Sequence, residues 1–354
     1  WQAQAIVRRL GALRWIGGPI RNPLDAPSVT RLGDIPQPIA VVLAGIRVGA
    51  VIAALYGLAI ALTTLLAIVT ISFFLIRMAP GGPFDLDRPL EAKVMENLQK
   101  IYKMDLPLWQ QYLIWLGGVV RLDFGMSFKH PDESVMALIG RTWPVTLHLG
   151  LLTLLVAFGI GIPLGIVAAM KQNTWIDYLA TLLSIFGFVT PHFVWGILFI
   201  LAFALYLKWL PTGGWEGPQY WILPVLAYAF APIAMIARYT RASVVEALRA
   251  DHVRTARAKG LGERSVMSHH VLRNALIPMV TVFGPLIPDL ITGSIFIEAI
   301  FRIPGLGSYW VTSTFDRDYP MIIGLVMLWA VLIAITYLIT DVLYVFLDPR
   351  VRIR

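Results

Sequence analysis

The chain has no cysteine in its 354 residues, which excludes disulfides, thiolate metal sites and cysteine nucleophiles. Charge is scarce as well: Asp, Glu, Lys and Arg together make up 14% of the chain, against about 25% in an average soluble domain. Lys never follows Gly, so the Gly-x-x-x-x-Gly-Lys-Ser/Thr loop that cradles nucleotide phosphates is missing. ATP binding of the P-loop kind is thereby excluded. The six histidines are scattered apart from the His269–His270 pair, and no acidic residue stands at metal-ligand spacing from them. No catalytic, cofactor-binding or metal-ligating residue is expected in this chain.

Apolar residues are abundant: 58% of the chain is hydrophobic and the mean hydropathy is +0.72. They come in long runs, which points to lipid as the solvent. The net charge is +8, with the basic residues mostly at the ends of those runs. Such charge reports membrane topology rather than nucleic-acid binding. Six spans are predicted: Val48–Ile76, Thr142–Met170, Tyr178–Leu207, Gly217–Ala237, Leu276–Ile297 and Tyr319–Thr340. As a helix the first would measure about 43 Å, longer than the ~30 Å hydrocarbon core. Pro191 is expected to kink the third, and Asp289 interrupts the fifth. The fold class is therefore an all-α membrane protein with six transmembrane helices.

The short loops set the orientation. Glu246–Arg273 carries Arg249, Arg254, Arg257, Lys259, Arg264 and Arg273, whereas Pro211–Tyr220 carries no Lys or Arg. Both termini and the cationic loop are expected on the cytoplasmic side. Residues 1–39 do not resemble a span. Ile6, Leu10 and Leu13 share a helical face apart from Arg8, Arg9 and Arg14, and five prolines from Pro19 to Pro38 keep the following chain extended. Two readings are open there, a surface helix on the membrane and a flexible basic tail. No cleavable signal peptide is expected. The external segment 79–141 reads as folded, with helical spacing over Leu90–Tyr102 and an apolar stretch, Leu108–Val120, too short to span and expected at the interface.

The stretch Glu246–Pro278, EALRADHVRTARAKGLGERSVMSHHVLRNALIP, reads as helix, glycine, helix. Val244–Lys259 suits one helix, with Val245, Leu248, His252 and Ala256 on a stripe. Gly260 suits a positive-φ cap, and a second helix starts near Glu263. The turn between them makes a rigid knob able to transmit force.

This stretch resembles the coupling loop of binding-protein-dependent ABC importers, and RTARAKGL with the HVLRNALIP continuation is closest to the oligopeptide/dipeptide permease family. It departs from the general family pattern at Arg254, where an acid is usual. Further similarities are IEAIFRIPGLGSYWVTSTFDRDYP (297–320), TISFFLIRMAPGGPF (70–84), LDFGMSF (122–128), AAMKQNTWIDY (168–178) and DVLYVFLDPRVR (341–352). The resemblance covers residue 50 or so to the C-terminus. It implies an N-terminal extension over 1–50 and a type I ABC importer permease domain over 51–354, with a cytoplasmic coupling loop at 244–275. It implies ATPase-coupling residues Arg254, Thr255, Ala256, Arg257, Ala258, Lys259, Gly260 and Leu261. The implied partners are a second homologous permease subunit, two P-loop ATPases that hold ATP and Mg, an extracytoplasmic peptide-binding protein and a peptide cargo. The implied location is a bacterial plasma (inner) membrane.

Translocation-path candidates are Asp289, Gly293, Gly305 and Gly307. A carboxylate within a span is a functional candidate by default. For Asp289 the readings are a path residue that attracts a peptide amino terminus, an interfacial residue, and an ion pair with a sister subunit. Gly305 and Gly307 suit a tight re-entrant turn. Glu298 and Asp341 are expected near span ends, where solvation is cheap. Gly159, Gly161 and Gly165 allow close helix approach, as a hinge or as packing. Rival readings are a proton-coupled peptide symporter, a non-transporting scaffold, and a same-family importer of nickel chelates, opines or glycosides.

Overall fold

The computed structural model describes residues 37–78, 81–84 and 92–347. The expected basic helix or tail over residues 1–36 lies outside them. Two compact units divide at Leu58; the first holds the start of α1, and the second, Ala59–Arg354, holds the other elements below. Among the described residues the regular structure is helical, with one isolated bridge between Met126 and Ser134.

The helices run α1 (Gln37–Met78), α2 (Ala92–Ile101), α3 (Leu108–Val119), α4 (Val135–Met170), α5 (Trp175–Val189), α6 (His192–Phe199), α7 (Pro218–Leu248), α8 (Asp251–Ala258), α9 (Arg273–Phe283), α10 (Leu286–Ile291), α11 (Ile295–Ile300), α12 (Gly307–Phe315) and α13 (Tyr319–Leu347). π-helical turns extend α6 over Ile200–Tyr206 and precede α9 over Val266–Leu272. Helix α1 starts earlier than expected: Pro38 joins its first turn, where the missing N–H has no intrahelical partner to lose. Helices α2 and α3 fall where the periodicity places them.

Among the described residues four helices are long and apolar enough to cross a bilayer, within α1, α4, α7 and α13, or five with the α5–α6 pair. The third span bends at Pro191 as expected, and sharply: α5 and α6 meet at 102°. Thr190 is extended, with ψ 122°, which is the conformation forced on a residue ahead of proline. The fifth expected span is three short helices, α9, α10 and α11. Its breaks fall at Gly284–Pro285 and at Gly293, whose φ is +93°.

Helix α4 is the axis of the unit. Its 36 residues amount to about 54 Å at 1.5 Å per residue, so it reaches past any hydrocarbon core. Ser134 caps its start by accepting from the Ala137 N–H at 3.2 Å. Helix α7 lies along it at the distance glycine allows: a Cβ on Gly165 would fall 2.5 Å from the Ala237 carbonyl oxygen, and one on Gly161 2.8 Å from Ile236. Gly159 has open space beside it. The small residues at 161 and 165 therefore serve packing. Leu149, Leu223, Ala227, Ile297 and Phe301 form one buried cluster along this pair.

Candidate functional site

At the Met170 end of α4 the chain builds the knob. The single helix expected over Val244–Lys259 is two. Helix α7 stops at Leu248, Ala250 is extended with ψ 146°, and α8 restarts at Asp251. This break lets α8 fold back on its own core. Val244 and Ala247 of α7 pack with Val253, Ala256, Val266, Val271 and Ala275, and Ala169 of α4 joins them. The buried positions are thus Val244, Ala247, Val253 and Ala256; Val245 and Leu248 of the expected stripe are only partly buried, and His252 is exposed.

Gly260 takes φ +77°, as its place at the end of α8 requires. Arg257 spans the turn with a two-pronged ion pair to Glu263, at 2.8 and 3.1 Å. That guanidinium holds the Glu263 carboxyl below its ordinary value. Asn274 donates to the His270 carbonyl at 2.7 Å, and His252 Nε2 lies 3.1 Å from both groups. Of the expected coupling residues only Ala256 is buried. Arg254, Thr255, Arg257, Ala258, Lys259, Gly260 and Leu261 are exposed. The turn thus presents an exposed leucine among cations, over its own packed core.

The first turns of α5 bear on the same end. Asp177, 3% exposed, accepts a two-pronged ion pair from Arg241 of α7, with Nη2 to Oδ2 at 2.7 Å. It also accepts from the Asn173 N–H at 3.0 Å.

Toward the opposite end of α4, Gly293, Gly305 and Gly307 surround a carboxylate. Glu298 was expected near a span end in cheap contact with water, but its residue is 1% exposed. It accepts from the Gly307 N–H at 2.7 Å and from Thr146 Oγ1 at 3.1 Å. Thr146 Oγ1 in turn accepts from the Leu306 N–H at 2.7 Å. A Cβ on Gly293, Gly305 or Gly307 would fall 2.2, 2.3 or 2.9 Å from Glu298. All three positions are glycine because the carboxylate fills the space. Asp289 stands apart on α10, exposed; its backbone carbonyl accepts from Tyr228 Oη at 3.0 Å, and its carboxylate makes no hydrogen bond or ion pair among the described residues.

Sequence reasoning passed over Asp318, which is 2% exposed. It accepts from Ser127 Oγ, from the Phe128 N–H at 3.0 Å and from the Met321 N–H at 3.3 Å. Nearby, Arg317 and Tyr319 donate to the carbonyls of Gly82 and Gly81 at 3.2 and 3.3 Å. LDFGMSF and RDYP meet at this carboxylate, and Gly81 and Gly82 join them through its neighbours Tyr319 and Arg317. Their shared resemblance to one family was the available signal.

Residues 161–353, which hold the knob, the Glu298 turn and the Asp318 hub, match the family described as binding-protein-dependent transport system inner membrane component. The chain belongs to that family. This permease is 41% identical over 290 residues to the dipeptide transport system permease protein DppB of Bacillus subtilis, covering 82% of this chain and 94% of that one. It is 42% identical over 294 residues to the oligopeptide transport system permease protein OppB of Escherichia coli K12, covering 82% and 96%. An inward-facing structure of the MetNI methionine ABC transporter shares the fold, with TM-score 0.51 and 16% identity over 60% of this chain and 97% of that one. The permease is thus an all-α membrane subunit with the ABC importer permease fold.

Proposed function

We propose that this chain is the membrane subunit of an ATP-driven importer of peptides. It pairs with a second, related permease subunit, takes cargo from an extracytoplasmic peptide-binding protein, and is driven by two cytoplasmic P-loop ATPases that carry ATP and Mg. The names of its relatives support the cargo class. In this reading both termini and the knob are cytoplasmic, and the broken α9–α11 segment supplies the remaining crossing.

The observation that carries the reading is the exposed Gly260 turn on a core shared with α7. Val244 and Ala247 belong both to the knob and to a helix that runs on through the bundle. Force applied at the turn by a closing ATPase pair therefore reaches α7 through this shared core. From there it passes to α4 at Gly161 and Gly165 and to α5 through Asp177. The helices then shift between arrangements open to one side or the other, a population biased by nucleotide and cargo.

Purification of the tagged chain from native membranes tests this. ATPase subunits are expected to co-purify with the wild type and to be lost with Gly260→Val, which forces a branched side chain to positive φ. A permease that purifies alone, with no ATP hydrolysis, refutes the proposal.

A further inference from the structure

Beside the Glu298 turn lies a cavity of about 630 Å³, walled by Arg141, Thr142 and Val145 of α4, the Pro304–Gly305 turn and one face of α12. Its size lies within the range of small-ligand sites, about 300–1,000 Å³. Two exposed ion pairs flank it: Lys129 to Asp316 at 3.3 Å, and Arg141 to Glu133 at 2.9 and 3.0 Å. Exposed pairs of this kind contribute little stability, so either cation and Asp316 can exchange partners when a ligand enters. Between them α12 presents Ser308 and Thr312, whose hydroxyl protons go to the Gly305 and Ser308 carbonyls. Their lone pairs remain free to accept.

The apolar wall is made of Val145, Pro304 and the Tyr309 ring. The lining therefore offers cations for a carboxylate, a carboxylate for an ammonium, acceptors for amide N–H groups and an apolar wall. We propose that this cavity binds a short peptide by its main chain and two charged termini. The proposal rests on the peptide-import reading and goes further by assigning a cargo site on this chain. Gly305 is both the floor of the cavity and a wall of the Glu298 cradle, so an occupant presses directly on the buried turn.

The test is equilibrium dialysis of radiolabelled tri-alanine against the complete transporter in lipid nanodiscs with the receptor omitted. Tri-alanine amide and N-acetyl tri-alanine serve as competitors, and assembly of each variant is checked by gel filtration. Saturable binding is expected. The amide and the N-acetyl form should each compete about tenfold less well, since each lacks one charge-assisted contact. Arg141→Gln should remove the preference for the free acid, and Asp316→Asn the preference for the free amine. The proposal is overturned by absence of saturable binding, by equal competition from the blocked peptides, or by variants that alter only receptor affinity and so mark a protein-docking surface. Tri-alanine uptake with the receptor restored separates the two claims: uptake without receptor-free binding overturns the site alone, and no peptide uptake overturns the import reading as well.

Discussion

Removing Arg241 should damage this permease more than any other single surface-to-interior change near the knob. Asp177 is 3% exposed and Arg241 30% exposed, and they share a two-pronged pair across α5 and α7. Arg241→Ala leaves a desolvated carboxylate with only the Asn173 N–H, 3.0 Å away. Breaking a buried pair from one side costs about 3–5 kcal/mol, and the partial exposure of Arg241 places this case near 3. For a chain of this size about 1 kcal/mol moves the unfolding midpoint by about 2 °C, so a drop of about 6 °C is expected. Arg241→Lys should fall between, because a single ammonium cannot satisfy both carboxylate oxygens. The double change Asp177→Leu with Arg241→Met should recover most of the loss, since apolar replacement of both partners removes the orphaned charge. Thermal unfolding of the purified complex, followed by tryptophan fluorescence, reads all four proteins. If Arg241→Ala unfolds at the wild-type midpoint, or the double change is worse than either single change, the pair does not tie α5 to α7 as argued.

Gly305→Ala should lower the yield of assembled complex severely, because its Cβ would sit 2.3 Å from Glu298 Oε2; the same change at Gly159, which has open space, should be silent, and size-exclusion profiles compare them. Asp318→Asn replaces an acceptor by an amide facing the Ser127 and Phe128 donors, at about 1–3 kcal/mol; limited proteolysis should then cut faster between residues 85 and 134. The Arg257–Glu263 bridge depresses the Glu263 carboxyl, so its contribution is present above the ordinary carboxylate value of about 4.3 and is lost as pH falls through the lowered one. Hydrogen exchange around Gly260 should accelerate in that acid window, and Glu263→Gln should abolish the step. Asp289→Asn should reduce peptide uptake with ATPase activity retained if the exposed carboxylate lines the path; unchanged growth on peptides would remove it from the path.

The sequence by itself determined what depends on neighbours along the chain. Apolar runs bounded by charged residues placed α1, α4, α7 and α13, because the cost of burying charge in lipid is paid residue by residue. The positive φ of Gly260 and the return helix from Glu263 were legible for the same reason: a cap is set by the residues within one turn of it. Tertiary structure decided what depends on residues far apart. Glu298 read as a solvated span end until Thr146, 152 positions away, and three glycines closed around it. Asp318 gathered donors 190 positions away, and Asp177 found Arg241 across 64. The fifth span is broken for a related reason. Its composition is apolar enough for lipid, but Gly293 and two prolines let the backbone turn back onto α4, where Gly150 admits the Leu290 carbonyl. Hydropathy measures what a segment can dissolve in; only packing decides which way it turns.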